Sequence, residues 1–99
     1  MENQHRKIKG YRELSQEEIN LMNEIKAFGP QLEALVDKIS AHLDNVYTKA
    51  YELENEEEQT AEFERLDNAE SGTWIHEGKL SLQKGLMYLT RSVAQPEFF

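Results

Sequence analysis

The stretch Pro30-Gln31-Leu32-Glu33-Ala34-Leu35-Val36-Asp37-Lys38-Ile39-Ser40-Ala41-His42-Leu43-Asp44-Asn45-Val46-Tyr47 sets the architecture of the chain. Its apolar residues Leu32, Leu35, Val36, Ile39, Leu43, Val46 and Tyr47 recur at steps of three and four, which is the repeat of one helical face and not the alternation of a strand. Pro30 suits the first turn of a helix, where its missing N–H is not needed. The spacing therefore predicts an amphipathic helix over residues 30–53 with a seam like that of a coiled coil.

Upstream, Ser15 is a good N-cap, Glu18 stands three residues on to complete a capping box, and Leu14 and Ile19 occupy the hydrophobic-staple positions. Ile19, Met22 and Ile25, with Leu21 and Phe28 beside them, form an apolar face. Gly29-Pro30 is expected to end or kink this first helix, which spans residues 15–28. Downstream, Ile75, Leu82, Leu86, Leu89 and Val93 form one stripe, and Leu80, Met87 and Ala94 a second. They predict a third helix over 72–94, with Asn68 or Ser71 as cap and Gln95-Pro96 as stop. Two stripes imply two neighbours. One is the second helix; the other is either another protomer or the wide core of a three-helix monomer. Gly78, Gly85 and Ser92 recur every seven residues, which either admits a second backbone or merely tolerates small side chains.

Between the long helices, residues 52–70 hold nine acidic side chains against Arg65 alone. Such a run reads as a solvated acidic connector over 54–70, with one short helix around residues 61–66, or as an acidic interaction surface. The expected fold is all-α: a short N-terminal helix and two long antiparallel helices in a single helical-hairpin domain. At 99 residues the chain is one domain that hides only about two-thirds of its unfolded surface. Apolar residues spread along helices of this length exceed what one hairpin can cover, so a homo-oligomer is expected.

Cysteine is absent, which excludes disulfides, thiolate chemistry and cysteine-rich zinc sites. The apolar runs are too short for a membrane span, and no apolar signal segment follows the N-terminus, so a cytosolic protein is expected. The net charge of −8 argues against general nucleic-acid or anionic-membrane binding. Its distribution is uneven. Residues 1–12 carry Arg6, Lys7, Lys9 and Arg12 against Glu2 alone, a local balance of +3 on an otherwise acidic chain.

His5, His42 and His76 include no pair at the four-residue spacing that presents two imidazoles to one metal. His76 and Glu77 are adjacent, and adjacent helical side chains point about 100° apart. Nucleophile elbows, Walker loops and dinucleotide-binding glycine patterns are lacking. The expectation is a protein that is not an enzyme, with no metal and no cofactor.

The segment His5-Arg6-Lys7-Ile8-Lys9-Gly10-Tyr11-Arg12-Glu13-Leu14 joins cations to an aromatic plane, the combination that holds a phosphorylated base. Gly10 argues against a regular helix there, so residues 1–13 read as a basic arm. Tyr11 either offers its ring to a base or packs against the core. Lys26, in the last turn of the first helix, either reaches a groove edge or is a solvated lysine favoured by the helix C-terminus.

His5-Arg6-Lys7-Ile8, Gly10-Tyr11-Arg12-Glu13-Leu14, Glu18-Ile19 and Leu21-Met22-Asn23-Glu24-Ile25-Lys26 together resemble the phage-encoded anti-CBASS cyclic-nucleotide sponges, which share a hairpin domain with the Thoeris anti-defence sponges. Leu82-Gln83-Lys84-Gly85-Leu86-Met87 and Leu89-Thr90-Arg91-Ser92-Val93-Ala94-Gln95-Pro96 are similar to that family's closing motif. The resemblance covers about half the chain, at both ends and in order. It implies a homohexamer that sequesters cyclic dinucleotide messengers such as cyclic GMP-AMP without degrading them, in the cytoplasm of the infected bacterium. It also implies that Tyr11 stacks on a base and Lys26 meets a phosphate. Some members hold cyclic trinucleotides through an arginine at a position that aligns with Lys79; lysine is not an equivalent bidentate donor. Residues 50–70 depart from the family pattern.

Two other readings stand beside this one. A helical adaptor would dock on a host protein through the acidic connector or the third helix. A nucleic-acid binder would use the basic arm, against the overall charge.

Overall fold

The computed structural model describes residues 12–97, which form three helices and no strand: α1 (Gln16–Tyr51), α2 (Glu56–Ala69) and α3 (Ser71–Ala94). The all-α expectation holds for these residues. They form two compact units. One takes the chain up to Gln31 together with the part from Leu82 onward; the other is Leu32–Ser81.

Gly29-Pro30 does not end a helix. The two helices expected over 15–28 and 30–53 are a single one of 36 residues with Pro30 inside it. From Met22 to Val46 its half-buried positions are Met22, Ile25, Gly29, Leu32, Val36, Ser40, Leu43 and Val46, and every step between them is three or four residues. The inward stripe therefore passes through Gly29 without a change of phase, while Pro30 faces outward. An interior proline costs about 3 kcal/mol and has no N–H for the carbonyl four residues back, here that of Lys26. Burial on both sides of the break offsets that cost, a balance that dipeptide rules do not weigh.

The capping box at the start of α1 is formed as expected. Glu18 N–H donates to Ser15 Oγ at 3.1 Å and Ser15 N–H to Glu18 Oε1 at 2.8 Å.

The acidic segment is more ordered than a connector with a short helix at 61–66. Asn55 is an N-cap whose side-chain oxygen accepts from Glu58 N–H at 2.9 Å, and α2 runs 14 residues from there. Glu56, Glu57 and Glu58 fill its first turn, where carboxylates complement the positive helix end. Gln59, Glu62, Phe63 and Leu66 make its inner face. Phe63 meets Tyr51 edge to face at 4.8 Å and Tyr47 at 6.4 Å between ring centroids. The Gln59 amide donates to the carbonyls of Ala50 and Tyr51, at 3.3 and 3.0 Å, and so closes the end of α1. Glu70, at φ 51°, ends α2 in the left-handed region, and α3 follows at once. Ser71 thus lies within α3, and neither it nor Asn68 precedes the helix as a cap.

On α3 the half-buried and buried positions from Leu82 onward are Gly85, Leu86, Thr90, Val93 and Ala94. Leu82 and Leu89, on the first stripe, are 39% and 55% exposed, and Met87, on the second, is 67% exposed. A Cβ built on Gly78 or Gly85 would meet nothing of the chain within 4 Å. Gln95, at φ 46°, stops α3, donating its N–H to Arg91 O at 2.9 Å, and Pro96 follows.

Candidate ligand-binding groove

Arg12 ties the start of α1 to the end of α3 within one unit. Its Nη1 and Nη2 bond the two oxygens of the Glu18 carboxylate, the first at 3.1 Å, and Nη2 also donates to Val93 O at 3.0 Å. Its Nε is buried with no hydrogen-bond partner. Glu18 thus serves the capping box and the arginine together. The Arg12 hydrogen bonds, with that from Ser15 N–H, hold its carboxyl well below the ordinary range, at about 2. The same contact raises the Arg12 pKa. Arg12 belongs to the sequence's basic arm, yet its charge is engaged within the fold.

Beside this clamp a groove of about 710 Å³ opens in the same unit. Met22, Asn23, Ile25 and Lys26 of α1 form one wall. Leu86, Met87, Thr90, Arg91 and Ala94 of α3 form the other, with Pro96 beyond. Helical spacing explains both sets. Met22 and Ile25 lie three residues apart, as do Asn23 and Lys26; Leu86, Thr90 and Ala94 lie four apart, as do Met87 and Arg91. The walls are thus mostly apolar, with two methionines able to adjust their shape. Thr90 Oγ1 donates to Leu86 O at 2.9 Å within its own helix. Asn23, Lys26 and Arg91 are left as the groove's side-chain donors. A volume within about 300–1,000 Å³, apolar walls and a few placed polar groups are the usual features of a small-molecule site.

Lys26 lines the groove and is exposed, which is compatible with either place that the sequence reading left open for it. Tyr11 lies outside the described residues. Lys79 is exposed on α3 and lines neither this groove nor the second one. That second groove, about 390 Å³ within Leu32–Ser81, includes His42, Arg65, Leu66 and Trp74. Its Arg65 is engaged by Glu62 at 2.6 and 3.0 Å. Among the described residues no three His, Cys, Asp or Glu side chains gather as metal ligands. Arg91 is the groove residue that sequence reasoning missed. Its signal was its position four residues after Met87 and three before Ala94, on the second stripe of α3.

No protein-family model matches the chain. It is 42% identical, over an alignment of 106 positions covering 98% of both chains, to "Anti-CBASS protein 2" of Pseudomonas phage JBD67. The chain belongs to the anti-CBASS family. The family relationship reaches through the acidic α2 segment, well beyond the terminal motifs that first carried the resemblance. In this anti-CBASS chain no described helix is long and apolar enough to cross a membrane.

Proposed function

We propose that this chain blocks CBASS in the host cytoplasm by holding a cyclic dinucleotide in the groove beside Lys26, as a homo-oligomer and without breaking the ligand. The observation that carries this reading is the placement of Lys26 on a mostly apolar groove of about 710 Å³ in a family named for acting against CBASS. The apolar walls suit the faces of two bases; the ammonium suits a phosphate. Tyr11, next in sequence to the anchored Arg12, supplies the stacking ring.

Magnitudes argue for more than one protomer at each ligand. One base stack is worth about 1–3 kcal/mol, and one charge-assisted contact about 1.5–3 kcal/mol. A single set gives roughly 2.5–6 kcal/mol before the costs of association, around millimolar affinity at best. Two sets give roughly 5–12 kcal/mol on the same figures. A cyclic dinucleotide has two bases and two phosphates about an approximate twofold axis, and an isologous dimer offers each protein group twice about its own. Self-association also accounts for the exposed apolar surface. Among the described residues only Ala50, Leu66 and Ala94 are buried apolar side chains, against twelve large apolar ones that are exposed.

The test is calorimetric titration of the wild type, Tyr11→Ala and Lys26→Ala with 3′,3′-cyclic GMP-AMP, with native mass spectrometry of each. Tight binding by the wild type, its loss in both variants at an unchanged subunit count, and intact ligand after denaturation are expected. No heat with any member of a cyclic dinucleotide panel overturns the reading, and recovery of a cleaved ligand replaces capture with catalysis.

A further inference from the structure

We propose that Arg91 is a second phosphate-contacting residue of the groove, acting with Lys26 on the opposite wall; the proposal rests on the cyclic-dinucleotide reading above. Three observations carry it. First, Arg91 of α3 and Lys26 of α1 line the same groove, and its other walls are mostly apolar. Both cations are exposed at that groove, so a phosphate entering it can reach each of them through a charge-assisted hydrogen bond.

Second, Arg91 stands apart from the other described arginines. Arg12 is bound by Glu18 and Arg65 by Glu62. Arg91 has no ion pair among the described residues, in a chain with 19 acidic side chains. Its place in the last turn of α3 satisfies the helix dipole, but that preference does not require it to line a groove.

Third, neither cation has a carboxylate three or four positions away on its own helix. The residues three and four positions either side of Lys26 are Met22, Asn23, Gly29 and Pro30; those around Arg91 are Met87, Tyr88, Ala94 and Gln95. No acidic residue occurs between Glu77 and Glu97. An ordinary solvated helix in so acidic a chain would gain from pairing such cations at these positions. Leaving both charges uncompensated on one groove suits a ligand that brings its own negative charge. A cyclic dinucleotide brings two, one per phosphate. Lysine supplies a point charge and arginine a planar fork that spans two phosphate oxygens, so the pair fixes the phosphate's orientation as well as its position.

The test titrates 3′,3′-cyclic GMP-AMP into the wild type, Arg91→Gln, Arg91→Lys and Arg65→Gln, with circular dichroism and native mass spectrometry on each. Arg91→Gln is expected to bind about 10- to 100-fold more weakly, the loss of one or two charge-assisted hydrogen bonds. Arg91→Lys recovers part of that loss, because the charge returns without the fork. Arg65→Gln removes the same charge from a residue already held by Glu62 and is expected to match the wild type. Binding by Arg91→Gln within about twofold of the wild type overturns the proposal and leaves the role of Lys26 standing. An equal loss in Arg65→Gln also overturns it, since the effect is then that of net charge. A wild type that does not bind the probe defeats the underlying reading instead.

Discussion

Arg12 and Glu18 are joined by both ends of the guanidinium, and Arg12 reaches on to the carbonyl of Val93. One side chain thereby ties the start of α1 to the last turn of α3, next to Ala94 on the groove wall. The clamp depends on an ionised Glu18, so it depends on pH.

Folding holds the Glu18 carboxyl at about 2, below its ordinary 4.5. A carboxylate with a depressed folded pKa takes up its proton more readily in the unfolded chain, so acid favours unfolding. Its contribution is complete above about 4.5 and is lost as the pH falls through about 2. Thermal unfolding of the wild type and Glu18→Gln is therefore expected to show an advantage for the wild type at about pH 6 that shrinks steadily toward about pH 2.5. A constant advantage across that range contradicts the clamp.

The cap of α2 gives a second expectation. Asn55→Ala removes the acceptor for Glu58 N–H and should cost about 1 kcal/mol in denaturant unfolding, whereas Asn55→Gly should cost only a few tenths. Losses near zero in both variants would mean that the cap hydrogen bond contributes little.

Leu66 is 4% exposed and Leu89 55%, and the two predict opposite behaviour. Leu66→Ala should lower unfolding free energy by about 2–4 kcal/mol through a cavity under α2. Leu89→Asp should leave helicity intact and reduce the sedimenting mass, because this side chain belongs to the exposed apolar surface that the proposed self-association would cover. An unchanged mass at micromolar concentration removes Leu89 from the interface.

Helical periodicity made the all-α class and the limits of α3 legible to within a residue, and residue type at Ser15 and Glu18 made the first cap legible as well. A groove edge was one of the two positions that the sequence left open for Lys26, and it lines the groove. What periodicity could not fix was phase. Spacing put Leu82 and Leu89 on one stripe and Met87 on the other without saying which residues the chain itself buries, and the buried face runs through Thr90 and Val93. Arg91 was hidden by the same limit, since the opposite wall of a groove is a tertiary fact. The acidic run misled for another reason. Its net charge looked solvated, but three of its glutamates sit at a helix start where charge is favourable, and Phe63 and Leu66 anchor the turns that follow.

Pro30 carries the last expectation. It lies inside α1 one turn beyond Lys26, so the Lys26 carbonyl lacks its helical donor and faces the proline ring. The inward stripe from Met22 to Val36 is unbroken and Pro30 is exposed, so alanine can take its place without disturbing packing. Pro30→Ala restores the missing N–H and should raise the unfolding free energy by about 1–3 kcal/mol, part of the intrinsic alanine–proline difference. Hydrogen exchange should slow at the amides of the surrounding helical turns, and the new amide of the variant should itself be protected. If the variant is instead no more stable, the carbonyl of Lys26 already has another partner and the strain assigned to this turn is absent. Ligand affinity measured alongside separates stability from function: a stabilised variant that binds more weakly would mean that the turn at Pro30 sets the reach of Lys26 into the groove.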